Sequence, residues 1–339
     1  MSKELLLEKI ITLMGNVHLS IIIPAFDEEE SIHLLYEQIK KDLDDKDISY
    51  EIIIIDDGSS DGTWEKISTL ARKSKLIVPI KFTKNYGKSD ALDAGFKVAK
   101  GNFILTMDAD LQDDPSEIYK LYNMIKKNKY DLVSGWKKRR NDPLSKTIPS
   151  KFFNAVTRIF SGINLNDFNC GIKIYRREVI DSINLYGEMH RYIPLIAKWN
   201  GYDNIGEKEV NHNKRKFGKT KFGMERYIRG FLDLLSVSFV YRFRKRPMHF
   251  FGSFGVIFFL IGFFSVGWII YEKVSKIADN IPIDLIRPVT DQPLFYIALV
   301  SIIIGVQLFL VGFLSELVIK INSDKKSYQI EKTGNDKKN

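Results

Sequence analysis

Asp108-Ala109-Asp110 closes an apolar run and is followed by Leu111, Gln112, Asp113 and Asp114. Two carboxylates spaced this way at the end of a strand can address one cation together with a nucleotide ribose or diphosphate. Hard oxygen ligands of this kind suit Mg2+ or Mn2+, with water and phosphate oxygens completing the shell. A solvated acidic loop would satisfy the bare pattern equally well, so its place and its company decide its meaning.

The company is a second cluster, Asp56-Asp57-Gly58-Ser59-Ser60-Asp61-Gly62, which also follows an apolar run and leads into a helix beginning near Thr63. Turn formation and helix capping account for Ser60, Asp61 and the glycines. They leave the paired carboxylates Asp56 and Asp57 unexplained, and a carboxylate there can accept hydrogen bonds from ribose hydroxyls or a base edge. A third cluster, Pro24-Ala25-Phe26-Asp27-Glu28-Glu29, could set Phe26 against a base and Glu28 on its edge; alone it reads as a turn and a helix start. Positive charge comes from Arg215, Lys219 and Lys221 in the loop KRKFGKTKFG, which can fold over a diphosphate. A second basic set gathers Lys137, Lys138, Arg139, Arg140 and Lys146 near Ser150. Either set also fits a solvated face or anionic lipid. Asp167 and His190, beside apolar segments, fit structural hydrogen bonding.

Positioning these clusters requires strands. From Leu19 to about Trp136, β-branched runs at 19–23, 51–55, 78–82, 102–107 and 131–135 alternate with polar helical stretches, the pattern of parallel strands with crossover helices. Isoleucine-rich runs with little polar alternation belong in a sheet covered on both faces. Ligands then bind beyond the carboxyl ends of the strands, where all three acidic clusters fall. Further along, a helix is expected near Lys146–Phe160, and a strand-like segment at 171–176.

The last third changes character. Residues 224–241 carry apolar residues at helical spacing beside Arg226, Arg229 and Asp233, as in a helix lying on a bilayer surface, and run into the basic stop RFRKR (242–246). Pro247–Tyr271 and Gln292–Ser315 contain no Asp, Glu, Lys or Arg, and each is long enough to cross a bilayer. Basic residues flank the pair at Arg242–Arg246 and at Lys320, Lys325 and Lys326, so the positive-inside rule places the catalytic part and the tail in the cytoplasm. The expected organisation is an amphipathic segment (1–18), a catalytic domain (19–223), an interfacial helix with its basic stop (224–246), a transmembrane hairpin (247–319) and a basic tail (320–339).

Composition narrows the classes. The formal charge of +9 over 339 residues suits an anionic partner. The single cysteine, Cys170, excludes an intrachain disulfide and a cysteine-based zinc site. No G-x-G-x-x-G follows the first strand, which argues against a nicotinamide-dependent oxidoreductase. Two spans are too few for a self-contained transporter, and nothing in the sequence calls for nucleic acid.

In order along the chain, PAFDEE, DDGSSDG, NYGKSDALDAGF, DADLQDDP, DFNCGIKIYRREV and RKFGKTKFG resemble the motifs of family 2 glycosyltransferases of the GT-A fold, in particular the polyisoprenyl-phosphate hexose synthases. The resemblance covers nearly everything from Leu19 to Lys320. It implies an α/β fold, a Rossmann-like, mostly parallel sheet with helices on both faces, followed by an interfacial helix and two transmembrane helices. It implies a nucleoside held by Pro24, Phe26, Glu28 and Asp57, and a metal and diphosphate held by Asp108, Asp110 and Gln112. Arg215 and Lys221 would bind the diphosphate, with Thr220 where serine is usual, and Lys137, Lys146 and Ser150 the lipid phosphate. The implied reaction is metal-dependent transfer of a hexose, with inversion, from UDP-glucose or GDP-mannose to polyisoprenyl phosphate at the cytoplasmic face; a homo-oligomer is compatible with it. A membrane-bound polysaccharide synthase shares the donor site, but the Q-x-x-R-W motif of the resembling synthases is absent. A non-catalytic nucleotide-binding scaffold would tolerate loss of the D-x-D or the basic loop, and both are present.

Overall fold

The computed structural model describes residues 17–138, 144–185, 187–213 and 247–321. Residues 1–16 of the expected amino-terminal amphipathic segment, the expected interfacial helix 224–241 and the tail past 321 lie outside the described residues. The chain divides into two units, Met1–Ser238 and Phe239–Asn339.

The first unit is a seven-stranded sheet in the order β3-β2-β1-β4-β6-β5-β7. Its strands are β1 (Leu19–Ala25), β2 (Tyr50–Asp56), β3 (Ile77–Lys81), β4 (Phe103–Thr106), β5 (Leu132–Trp136), β6 (Lys173–Arg176) and β7 (Ile205–Glu209). All run parallel except β6, which is antiparallel to β4 and β5. Helices α1 (Ile32–Leu43), α2 (Thr63–Lys73), α3 (Lys88–Val98), α4 (Glu117–Asn128), α5 (Leu144–Ser161), α6 (Arg177–Asp181) and α7 (Ile193–Trp199) supply crossovers and flanks.

The isoleucine runs behave as a doubly covered sheet requires. Ile21, Ile23, Ile52 and Ile54 join α1, α2 and α4 in one core. Ile22 and Ile55 face α3 instead: a Cβ on Gly95 of that helix would lie 2.5 Å from Ile22 Cγ2. A glycine at that point of α3 lets its backbone press onto the sheet. β3 lies at one edge, which explains how it tolerates Pro79. Strand β7 was not legible: IGEKE carries too few apolar residues to read as a strand, and it sits at the other edge.

The strand order reverses between β1 and β4, the switch point at which such sheets open a crevice. Pairing of β4 with β1 stops at Ile22↔Thr106, while β1 continues to Ala25 beside Asp56 of β2. Pro24 stands where β1 has outrun β4, so its missing N–H breaks no ladder bond.

The second unit is a hairpin of α8 (Pro247–Ala278) and α9 (Pro293–Ile321), both long and apolar enough to cross a membrane. Its helices meet through small residues: a Cβ on Gly255 would lie 2.8 Å from the Gly305 carbonyl oxygen, and one on Gly305 would lie 2.8 Å from that of Gly255. Such close backbone approach is how helices associate when lipid removes the hydrophobic drive between them. Phe263, Phe264, Trp268 and Tyr271 stay exposed, as a lipid-facing surface allows.

Candidate active site

The loops at the carboxyl ends of β1 and β2 brace one another. Ser59 Oγ accepts the Asp27 N–H at 2.9 Å, Asp27 Oδ1 accepts the Ser60 N–H at 2.9 Å, and Glu29 Oε2 accepts the Gly62 N–H at 2.8 Å. Glu28 donates its N–H to Thr63 Oγ1 at 2.8 Å, and its carboxylate accepts the Ser31 hydroxyl at 2.6 Å. Phe26 and Glu28 are half-buried in this frame. Gly58 adopts φ +70°, and a Cβ there would meet the Lys84 carbonyl carbon at 2.3 Å, so only glycine fits against the chain after β3.

That chain is held from the other side. Asp57, 4 % exposed, accepts the N–H of Tyr86 at 2.7 Å and of Gly87 at 2.9 Å, one on each oxygen. Burial raises its pKa, and these two bonds work against the rise. The residue expected to read a ribose therefore also fixes the backbone at the start of α3.

The next residue is Lys88, and its ammonium pairs with Asp108 of the D-x-D. The two side chains are 32 % and 34 % exposed, so solvent reaches the pair. Burial pushes the Asp108 carboxyl up, but Lys88 and Lys137 outweigh it and hold it below the usual carboxylate range. Asp110 is half-buried, and its Oδ1 accepts the Gln112 N–H at 3.2 Å. Leu111 between them has φ +59°, so the loop turns sharply there.

Lys137 lies deeper than an expected phosphate ligand would. It is 12 % exposed, with its ammonium 2.7 Å from Oδ1 of the fully buried Asp113. Neither Asp113 oxygen has a well-aligned hydrogen bond, so the charge of Lys137 is what compensates that carboxylate. Gly171 makes room for both acids: a Cβ there would lie 2.4 Å from Asp108 Oδ2 and 3.0 Å from Asp113 Oδ2. Because β6 runs antiparallel, its first residue, Lys173, is at this same end of the sheet; its buried ammonium donates to the Cys170 carbonyl. Burial and the Asp113 charge push the Cys170 thiol up to about 12, which makes it inert.

His190 sits beside this cluster. Ser89 Oγ accepts the His190 backbone N–H at 3.1 Å and lies 3.0 Å from His190 Nδ1, so one hydroxyl holds both the backbone and the ring. Burial, then Lys88, Arg191 and Lys173, hold its pKa well below the ordinary histidine value.

Of the other expected residues, Ser150 is 8 % exposed on α5. Lys146 is on the first turn of α5, and its side chain lies outside the described residues. Arg215, Lys219, Thr220 and Lys221 lie outside them too. The chain leading to them is stitched to the D-x-D segment: Asn213 donates its N–H to the Gln112 carbonyl at 2.8 Å, and Asp113 bridges His212.

Lys88 lies within NYGKSDALDAGF and is given no role by the sequence alone. A signal was present, because a lysine in the first turn of a helix opposes the helix dipole and calls for a nearby carboxylate. Asp113 and Gly171 gave no such sign, since their roles depend on β6 reversing direction.

An α/β sheet with this switch point places a ligand crevice beside the acidic loops, and residues 20–183 match Glycosyl transferase family 2. A dodecaprenyl-phosphate galacturonate synthase from Rhizobium johnstonii is 34 % identical over 308 residues, covering 90 % of this chain and 88 % of that protein. An undecaprenyl-phosphate 4-deoxy-4-formamido-L-arabinose transferase from Aeromonas hydrophila is 31 % identical over 307 residues, 90 % of this chain and 89 % of that one. Among solved structures, glucosyl-3-phosphoglycerate synthase from Mycobacterium tuberculosis with Mn2+ and UDP-glucose superposes with a TM-score of 0.51 at 18 % identity, over 68 % of this chain and 82 % of that one. The chain belongs to glycosyl transferase family 2, and its relatives over most of their length are polyprenyl-phosphate sugar transferases.

Proposed function

We propose that this glycosyltransferase moves a sugar from a nucleotide-sugar donor to polyisoprenyl phosphate, with inversion, at the cytoplasmic face of a membrane. The observation that carries the reading is convergence: Asp57, Asp108, Asp110 and the chain entering the basic loop meet at one end of the sheet. Its support comes from the relatives, which match across the apolar hairpin region and whose names state a polyprenyl-phosphate acceptor.

Among the described residues no group of three or more His, Cys, Asp or Glu side chains could hold a metal. Asp108, Asp110 and the Gln112 amide fit Mg2+ or Mn2+ as a partial, all-oxygen set of the kind a nucleotide's phosphates complete. Lys88 already occupies Asp108 as a stand-in cation. The ion, when bound, neutralises charge on the departing diphosphate.

The chain's own residues do the rest. Pro24, Phe26, Glu28 and Asp57 frame the nucleoside, and Arg215 and Lys221 stabilise the diphosphate. In this reading Lys137, Lys146 and Ser150 hold the acceptor phosphate, and Lys137 at the same time balances the buried Asp113. A phosphate monoester loses its second proton near pH ~6, so the acceptor is largely a dianion and needs no base to activate it. One of its oxygens attacks the anomeric carbon as the bond to the β-phosphate oxygen breaks and nucleoside diphosphate leaves. Positioning and charge stabilisation then supply the catalysis.

UDP-glucose and GDP-mannose are the donors to test first, and the relatives' names add galacturonate and formamido-arabinose donors to the panel. The test incubates the full chain with each labelled donor and polyprenyl phosphate, then extracts the lipid. Label in the organic phase with one donor supports the reading, and none with any donor, from folded protein, rejects it.

A further inference from the structure

The donor site contains a cation of its own. Lys88 pairs with Asp108, and Asp57 fixes the backbone on the residue before it through the Tyr86 and Gly87 amides. Three loops are thereby linked in series: the acid at the end of β2, the turn into α3, and the D-x-D after β4. The pair is one third exposed, so both charges can be rehydrated and exchanged at modest cost. The Lys137–Asp113 pair behind it has a fully buried carboxylate and cannot be exchanged in this way.

A divalent ion at Asp108 must displace the ammonium, and a displaced lysine needs another anion. The donor brings one, because its diphosphate arrives beside the first turn of α3, where Lys88 is tethered. We propose that Lys88 is a positioning residue that occupies the cation place at Asp108 until nucleotide arrives, and then moves to the diphosphate as the divalent ion takes its place. The free protein then binds the ion poorly, and nucleotide and ion bind together. The arrangement keeps the D-x-D from holding an ion with no substrate to act on. This rests on the donor-site reading given above.

The experiment measures Mn2+ binding to the full chain in detergent by the electron paramagnetic resonance signal of the free ion, alone and with UDP or GDP. Lys88→Gln should bind Mn2+ alone about tenfold more tightly than wild type, a conservative share of the repulsion a lysine exerts on an ion at contact in a half-exposed site. Lys88→Arg, which keeps the charge, should behave as wild type. The Gln variant should also bind UDP or GDP about tenfold more weakly in saturating Mn2+, through the lost charge-assisted bond. Lys88→Met replaces it should the amide fail to fold. If the neutral variant binds Mn2+ alone no better than wild type, the exchange is overturned and the donor site stands. If wild type binds no Mn2+ with either nucleotide, the donor-site reading falls and the inference falls with it.

Discussion

Two of the three acidic clusters of the candidate site, those after β2 and β4, look alike in sequence and work differently. At the end of β2, Asp57 is almost fully buried, and both oxygens are used on the Tyr86 and Gly87 amides. At the end of β4, Asp108 is one third exposed and balanced by a lysine side chain, not by the backbone. A carboxylate bonded to backbone amides is part of the frame, whereas one balanced by a lysine can change partners. The first cluster should therefore fail through stability and the second through chemistry.

The sharpest break comes at Asp110. Asp110→Ala should cut transfer by about 10³-fold, the scale on which loss of a key charge-stabilising group is felt, while thermal unfolding stays near wild type. Near-normal turnover, or full activity of wild type in excess chelator, would contradict the metal assignment. Next is Lys137, which on this account belongs to the frame as well as to the acceptor side. Lys137→Ala strands the fully buried Asp113 and should cost about 3–5 kcal/mol of stability. Adding Asp113→Asn should restore most of the stability, and transfer to lipid phosphate measured in that double variant then reports on the acceptor role alone. If Lys137→Ala unfolds at the wild-type temperature, the ion pair contributes nothing.

Asp57→Asn tests the first cluster. One carboxylate oxygen becomes an NH2 facing an N–H, which should cost about 1–3 kcal/mol and lower stability and activity together. Loss of activity with unchanged unfolding would show that Asp57 serves the nucleotide only. The smallest effect concerns His190. Its pKa is lowered in the fold, so below about pH 6.5 the unfolded chain binds more protons than the native one, and stability falls as pH falls. His190→Gln should lose less of its unfolding temperature between pH 7.5 and pH 5.5 than wild type; an equal loss would mean that His190 titrates alike in both states.

Much of the sheet was legible because Ile21–Ile23 and Ile52–Ile55 leave no other reading: β-branched residues without polar alternation must be covered on both faces. The D-x-D was legible for the same reason, since it follows directly on β4. Lys88 was not given its role because its partner Asp108 lies across a whole helix and strand, and Asp113 and Gly171 were not because theirs depend on β6 reversing direction between β4 and β5. The polar edge strand β7 was missed because its pairing with β5, not its side chains, makes it a strand.

The central claim is that the acceptor is a lipid phosphate and not a hydroxyl. It is tested most directly by offering the full chain one productive labelled nucleotide sugar together with polyprenyl phosphate or with the matching free polyprenol, and counting label in the organic extract. The account predicts transfer to the phosphate and little to the alcohol, because the hydroxyl brings no dianion and none of the assigned residues serves as a base to activate it. Equal transfer to both, or transfer to the alcohol alone, would contradict it.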